Sequence, residues 1–153
     1  MAVQRTELEA LYREAFPAVY RAVLAVTLDP EVALDALQDA FEIALRRPPA
    51  HDTNLVGWLF RVALRRALRV HLRPPAVSVP AAYRDDLAHA LDRIESARLL
   101  RLLTRRQRVI VVAHYFLGLR QEEIAALLGL RRGTVGATIA HALARMRQEA
   151  SHG

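Results

Sequence analysis

Residues 121–146 read QEEIAALLGLRRGTVGATIAHALARM, and this stretch decides the fold of the second half of the chain. Apolar residues recur at helical spacing on both sides of Gly129, a glycine that can adopt the positive φ of a sharp turn. Ala125 is small enough for a second helix to cross close to the first. The spacing predicts a helix-turn-helix, with an ordinary helical hairpin as the alternative. The shared core would be Ile124, Leu128, Val135 and Ile139.

The second helix of this pair would normally lie in the DNA major groove. If Val135, Ile139, Ala142 and Met146 face inward, the outward residues are Thr134, Ala137, Thr138, His141 and Arg145. Threonine discriminates weakly between bases, and alanine can only touch a thymine methyl group. Arg131 and Arg132 stand at the amino end of the helix, where phosphates are favoured. We therefore predict docking on the DNA backbone with little direct reading of bases.

Helical spacing extends over almost all of the remaining sequence, and no window alternates as a strand does. A first apolar stripe, from Leu8 to Val23, should be interrupted or divided at Pro17. A second helix should run from Pro30 to about Arg46 with Asp29 as its cap. Its buried residues would be Val32, Leu34, Leu37, Phe41 and Leu45. A third helix should run from about Leu55 to Leu72.

The sequence therefore predicts an all-α protein made of two small helical bundles. The first bundle would span residues 1–73, and a proline-bearing linker would span residues 74–86. The second bundle, with the helix-turn-helix, would span residues 87–153. It should include a helix that Thr104 caps and Gly118 ends.

The basic residues are all arginine, and they are concentrated in two zones. Residues 98–153 carry ten arginines and three acids, whereas residues 1–73 are nearly balanced. Within that first half, residues 58–73 of the third predicted helix and its end carry five arginines and no acid: Arg61, Arg65, Arg66, Arg69 and Arg73. Arg61, Arg65 and Arg69 share a face, which could follow a phosphate backbone. A solvated helix face is the alternative.

Several function classes fit the sequence poorly. The six histidines are scattered, there is no glycine-rich phosphate loop, and Glu122 and Glu123 point in different directions on a helix. We therefore expect neither an enzyme nor a cofactor or metal site, and we expect His114 to be a satisfied core residue. The chain has no cysteine, no secretory signal and no apolar run long enough to cross a bilayer. These features predict a cytoplasmic protein without membrane insertion.

Four stretches of the sequence carry a resemblance to a known family. LTRRQRVIVVAHYFLGLRQEEIAALLGLRRGTV, from Leu103, resembles the carboxy-terminal domain of bacterial sigma factors of the extracytoplasmic-function (ECF) type. LYREAFPAVYRAV, DPEVALDALQDAFEIAL and VGWLFRVALRRALR resemble their amino-terminal domain. The resemblance covers nearly the whole chain and implies a factor that binds core RNA polymerase, recognises promoter DNA and helps to melt it.

The resemblance also implies roles for particular residues. Docking on the polymerase would use Asp35, Gln38 and Asp39. The alternative is that these residues are simply the solvent-exposed face of an amphipathic helix. The arginine-rich third helix would meet the downstream promoter element, and the loop near His51 to Asn54 would hold an unpaired base. The helix-turn-helix would bind the upstream promoter element. The resemblance also allows an anti-sigma factor as a further partner.

This sequence departs from the family at its DNA-reading positions. Gly136, Ala137 and Thr138 stand where members usually carry a basic or polar series, and Arg65 and Arg69 stand where asparagine and aspartate are usual. Two alternatives therefore stay open beside a promoter-selecting sigma factor. One is a sigma-like regulator that binds polymerase or an anti-sigma factor without reading promoters. The other is a dimeric helix-turn-helix regulator.

Overall fold

Seven helices make up the part of the chain that a computed structural model describes, residues 5–50, 54–70 and 97–152. The described residues contain no extended sheet, as the sequence predicts. The first three helices are α1 (Arg5–Thr27), α2 (Pro30–Arg46) and α3 (Leu55–Val70). The other four are α4 (Ala97–Leu100), α5 (Arg105–Tyr115), α6 (Gln121–Leu128) and α7 (Arg132–His152).

Helix α1 continues through Pro17, so the prediction that this proline would divide it is wrong. Proline removes only its own N–H from the helical ladder, and Pro17 is exposed, where water can satisfy the carbonyl one turn earlier. After Pro17 the helix is held by burial, because Val19 and the run from Ala22 to Val26 are almost inaccessible to solvent. Packing outweighs the local cost of the proline here.

Helix α2 begins as the sequence predicts. The Asp29 side chain accepts hydrogen bonds from the backbone N–H groups of Glu31 and Val32, at 3.1 and 3.3 Å, and Pro30 occupies the first turn. Its predicted buried face is only partly correct. Leu37 and Phe41 are buried, but Leu45 is exposed.

Four small residues at helical spacing bring α2 close to its neighbours. They are Ala33, Ala36, Ala40 and Ala44, and each is at most 1% exposed. Because alanine occupies little volume, the backbones of α1 and α3 can approach α2 closely. A prediction that considers only large apolar side chains misses these alanines. Phe60 of α3, which is fully buried, was not predicted as a core residue either.

The second bundle is built around α5 and the helix-turn-helix. Thr104 caps α5 in a reciprocal capping box with Gln107, which confirms the predicted helix start. The helix ends at Tyr115, close to the predicted stop at Gly118, which has a positive φ of +67°. Gly129, also at φ +67°, ends α6 and turns the chain toward α7. The Leu130 N–H then donates to the carbonyl of Ala125, at 2.9 Å.

The two bundles pack against each other. Buried residues of α1–α3 and of α4–α7 form one continuous apolar cluster, with α1 touching α5 and α3 touching α6. The sequence left open whether the bundles associate in the free chain. The predicted domain boundaries after residues 73 and 86 lie outside the described residues, so they remain predictions.

Candidate nucleic-acid interface

The arginine face of α3 is divided between open surface and a cleft. Arg65 and Arg66 are exposed, whereas Arg61 is half-buried in a cleft of about 280 Å³ between α3 and α6. Trp58 of α3 and Leu127 of α6 also line that cleft. The Arg69 side chain and all of Arg73 lie outside the described residues. The described arginines of α3 therefore do not form one open surface, because Arg61 faces the cleft and Arg65 and Arg66 face solvent.

An acidic edge of α2 lies beside the arginines of α3. Asp35 and Gln38 are exposed, and Asp39 accepts a hydrogen bond at 3.2 Å from Nε of Arg66 in a partly exposed ion pair. Partial burial raises the pKa of Asp35, the nearby Asp39 carboxylate raises it further, and Arg66 opposes the shift. The two predicted contact surfaces thus share one ion pair at their border.

The helix-turn-helix buries the residues that the sequence predicts as its core, with Leu128 only half-buried. Val135, Ile139 and Ala142 of α7 are buried against Ile124 and Ala125 of α6. These contacts fix which side of α7 faces outward, and that side carries few groups that can donate or accept hydrogen bonds.

On this outward side Ala137, His141 and Arg145 are exposed, and Thr134 and Thr138 are half-buried. The Thr138 hydroxyl donates to the carbonyl of Thr134 at 2.7 Å, so its proton is already used within the helix. Nε of Arg145 donates to the carbonyl of Leu102 at 3.2 Å. His141, in the middle of this surface, therefore has ring nitrogens that take part in none of the described hydrogen bonds.

The two arginines at the start of α7 are both exposed. Arg132 forms an ion pair with Glu122 of α6, with Nε and Oε1 3.0 Å apart, and an exposed pair of this kind is easily exchanged for a phosphate. Arg131 lies next to it at the amino end of the helix, where backbone N–H groups also favour anions. This end of α7 offers more positive charge than the outward side of the helix.

Comparison with known proteins places this geometry in a family. The model of sigma-70 region 4 matches residues 95–146, the segment that contains the helix-turn-helix. The RNA polymerase sigma-E factor of Streptomyces coelicolor is 33% identical over 94% of this chain and 85% of that protein. The chain belongs to the ECF sigma factors. A second relative, the ECF RNA polymerase sigma factor SigL of Mycobacterium tuberculosis, is 29% identical over 95% of this chain and 90% of its own length.

Solved structures of similar fold include two complexes. CnrH, bound to the cytosolic domain of CnrY, superimposes with a TM-score of 0.73 at 23% identity, over 97% of this sigma factor and 90% of that chain. The sigma factor RpoE of Bartonella quintana, bound to the anti-sigma factor NepR, superimposes with a TM-score of 0.67 at 21% identity, over 92% and 94% of the two chains. These likenesses confirm the all-α fold of two helical bundles. As an ECF sigma factor, the protein acts in transcription initiation.

Two contacts of this sigma factor were not predicted from its sequence. Arg108, half-buried in α5, donates from Nη1 to the carbonyl of Val26 at the end of α1, at 2.7 Å. Asn54, just before α3, donates to Oε2 of Glu123 in α6, at 3.3 Å. Both contacts join the two bundles, and no local pattern marks side chains whose partners are 82 and 69 residues away.

Three further observations on the described part of the sigma factor concern His114, metal-ligating side chains and membrane-spanning helices. His114 Nδ1 is 2.8 Å from the carbonyl oxygen of Leu119, so the histidine has a polar partner as predicted, but its side chain is half-buried and does not belong to the core. Within residues 5–50, 54–70 and 97–152, no three metal-ligating side chains come together. None of the described helices is long and apolar enough to cross a membrane.

Proposed function

We propose that this sigma factor binds core RNA polymerase through the acidic edge of α2 and carries it to promoters. The observation that carries the proposal is the similarity to the Streptomyces coelicolor sigma-E factor, which runs through 94% of the chain and so through both bundles. Asp35 and Gln38 are accessible for such docking, and Asp39 is only partly screened by Arg66. A factor that works on the polymerase acts in the cytoplasm.

The arginine-bearing helices would contact promoter DNA. Arg65 and Arg66 of α3 would follow the backbone of the downstream element as it opens, and Arg131 and Arg132 would hold phosphates of the upstream element. Such contacts give affinity that falls steeply with salt but little sequence information. Ala137 and His141 would supply what direct reading the upstream element receives. We therefore expect promoter choice to depend more on the downstream element than on the upstream one.

Charge reversal tests the polymerase contact. We expect Asp39→Arg to weaken binding to core polymerase at least about tenfold, equivalent to 1.4 kcal/mol, because it places a cation in an acidic docking surface. Arg66→Ala is the matched control, since it removes the same ion pair and leaves Asp39 in place. Glu149→Arg, an exposed charge reversal far along α7, controls for net charge. Binding can be measured by fluorescence anisotropy of the labelled factor without DNA.

Only one pattern supports the docking role. Asp39→Arg should weaken the complex while Arg66→Ala and Glu149→Arg leave it intact. If Asp39→Arg binds polymerase as tightly as the wild type, the acidic edge of α2 is not the docking surface. If both ion-pair variants weaken binding equally, the pair stabilises the bundle and Asp39 makes no polymerase contact of its own.

A second candidate function is favoured by the poor outward side of α7. With the Thr138 hydroxyl bonded to Thr134 and alanine at 137, the chain could bind polymerase or a regulator without selecting promoters. Run-off transcription with core polymerase over a genomic fragment library separates the two functions. Discrete transcripts that need the factor support promoter selection, whereas polymerase binding without discrete transcripts supports the second function. If the factor neither binds polymerase nor gives transcripts, a dimeric regulator is favoured.

A further inference from the structure

An arginine without an acidic partner lines the cleft between α3 and α6. Arg61 is half-buried there, and among the described residues no carboxylate forms an ion pair with it. Taking part of a cation out of water costs free energy unless a counter-charge or a hydrogen-bond acceptor replaces the water. Arg61 can therefore take an anionic ligand inside the cleft, whereas Arg65 and Arg66 face solvent.

The carboxylate that lines the same cleft is engaged by other residues. Oε1 of Glu123 accepts hydrogen bonds from the backbone N–H and from Nε of Arg120, at 3.1 and 3.0 Å. Oε2 of Glu123 accepts from Nδ2 of Asn54 at 3.3 Å. These bonds compensate the charge of Glu123 without Arg61, but the carboxylate still belongs to the wall of the cleft. It repels a ligand with two negative charges more strongly than a ligand with one.

Arg61 shares one face of α3 with two other residues of the cleft. Asn54 and Trp58 precede it by seven and three residues, which is the spacing of one helical face, and all three line the cleft. The Asn54 amide has a second N–H besides the one that goes to Glu123, and this N–H can donate to a ligand. Trp58 is half-buried, and a planar ring can stack on its indole.

The opposite wall of the cleft is largely apolar and comes from the second bundle. Leu119, Ala126 and Leu127 line it. The two walls come close together at one end, because a Cβ added at Gly57 of α3 would stand 3.8 Å from Cδ1 of Leu119. The volume of about 280 Å³ is at the small end of the range for ligand pockets, so the cleft suits a ligand with a single ring.

From these observations we propose that the cleft between α3 and α6 is a binding site for a small aromatic monocarboxylate. The carboxylate accepts a charge-assisted hydrogen bond from Arg61 and a further one from Nδ2 of Asn54. The aromatic ring stacks on Trp58 and packs against Leu119 and Leu127. This site is independent of the proposed function, because it uses none of the residues assigned there to polymerase or to promoter DNA.

Trp58 is the only tryptophan of the chain, so its fluorescence reports on the cleft directly. The full-length protein is titrated with phenylpropionate, which has one ring and one carboxylate, without polymerase or DNA. We expect a saturable change in emission with a Kd of about 1 mM or tighter. Phenylpropionamide, an uncharged ligand of the same shape, should bind at least about tenfold more weakly because it offers Arg61 no anion. Phenyl phosphate should also bind more weakly than phenylpropionate, because its second charge faces Glu123.

Variants test the two walls of the cleft separately. Arg61→Gln should weaken phenylpropionate binding at least about tenfold and leave phenylpropionamide binding unchanged. Arg65→Gln, on the exposed part of the same helix, is the matched control and should bind both ligands as the wild type does. Ala126 is exposed on α6 and lines the cleft, so Ala126→Phe should fill the cleft and abolish binding of both ligands. Circular dichroism verifies that each variant keeps its helices.

Four results would overturn the site or its assigned ligand. They are a Trp58 emission that phenylpropionate does not change, equal affinities for the acid and the amide, wild-type affinity for the acid in Arg61→Gln, and tighter binding of phenyl phosphate than of phenylpropionate. Binding that survives Ala126→Phe would place the ligand outside the cleft and so refute the site as well. Since the titration contains neither polymerase nor DNA, any of these failures leaves the proposed function intact.

Discussion

Replacing Gly136 by alanine should make the helix-turn-helix more stable. Gly136 lies inside α7, five residues into a helix of 21, where glycine costs about 0.8–1 kcal/mol relative to alanine because it has more backbone freedom to lose on folding. An added Cβ would stand 3.1 Å from Oε1 of Gln121, which is slightly too close. Since that oxygen is the end of a flexible side chain, it can withdraw by the few tenths of an ångström required.

We therefore expect Gly136→Ala to raise the free energy of unfolding by about 0.5–1 kcal/mol. For a chain of this size a gain of 1 kcal/mol raises the melting temperature by roughly 2–4 °C. The measurement is urea and thermal unfolding followed by circular dichroism. Gly129→Ala is the opposing control, because Gly129 has φ +67° and a side chain there costs about 1–2 kcal/mol. At Gly133 an added Cβ meets no atom within 4 Å, so Gly133→Ala reports the helix preference alone.

A loss of stability in Gly136→Ala would refute this reasoning, because it would mean that Gln121 is held too firmly to withdraw. The double variant Gln121→Ala/Gly136→Ala shows which group is responsible. If the contact with Gln121 is negligible, the two changes should be additive within about 0.5 kcal/mol. A large coupling free energy would show that Gln121 packs specifically over Gly136.

Three further changes test the first bundle. Asp29→Ala should lower the free energy of unfolding by about 1 kcal/mol because α2 loses its cap, and Asp29→Asn should restore most of it in the same urea titration. Phe60→Ala should cost about 3–5 kcal/mol, since the ring is fully buried, and a loss below 1 kcal/mol would contradict that packing. Folding raises the pKa of Asp35, so its ionisation above that pKa opposes folding. Asp35→Asn should therefore raise the unfolding midpoint at pH 7, and the difference should vanish at a pH low enough to protonate the carboxyl in both states. If the difference between Asp35→Asn and the wild type instead grew as the pH fell, it would contradict a raised pKa of Asp35 in the folded protein.

Local sequence signals predicted the starts of α2 and α5 and the turn at Gly129 accurately. Asp29 and Thr104 cap helices because their side chains can reach N–H groups two or three residues away, and Gly129 turns the chain because it has no Cβ. The outward residues of α7 also followed from helical spacing alone. These features depend on neighbours within one or two turns, so a short window of sequence contains all the information needed.

Packing decided the features that local sequence patterns do not predict. Pro17 would end an isolated helix, but burial of Ala22 to Val26 keeps α1 continuous. Leu45 has the spacing of a core residue and is nevertheless exposed, at the edge of a pocket that Tyr12 and Arg13 of α1 also line. The close approach of α2 to its neighbours depends on alanines, whose contribution becomes visible only when three helices are seen together.

By itself, the sequence determined that this protein is a pair of helical bundles with an acidic edge on α2, an arginine face on α3 and a helix-turn-helix poor in base-reading groups. Only the tertiary structure decided that the bundles meet, that Arg61 faces a cleft, and that Arg108 bonds to Val26 across the junction. The reason is physical: periodicity and capping act over a few residues, whereas a contact between residues 82 positions apart depends on how whole helices are placed.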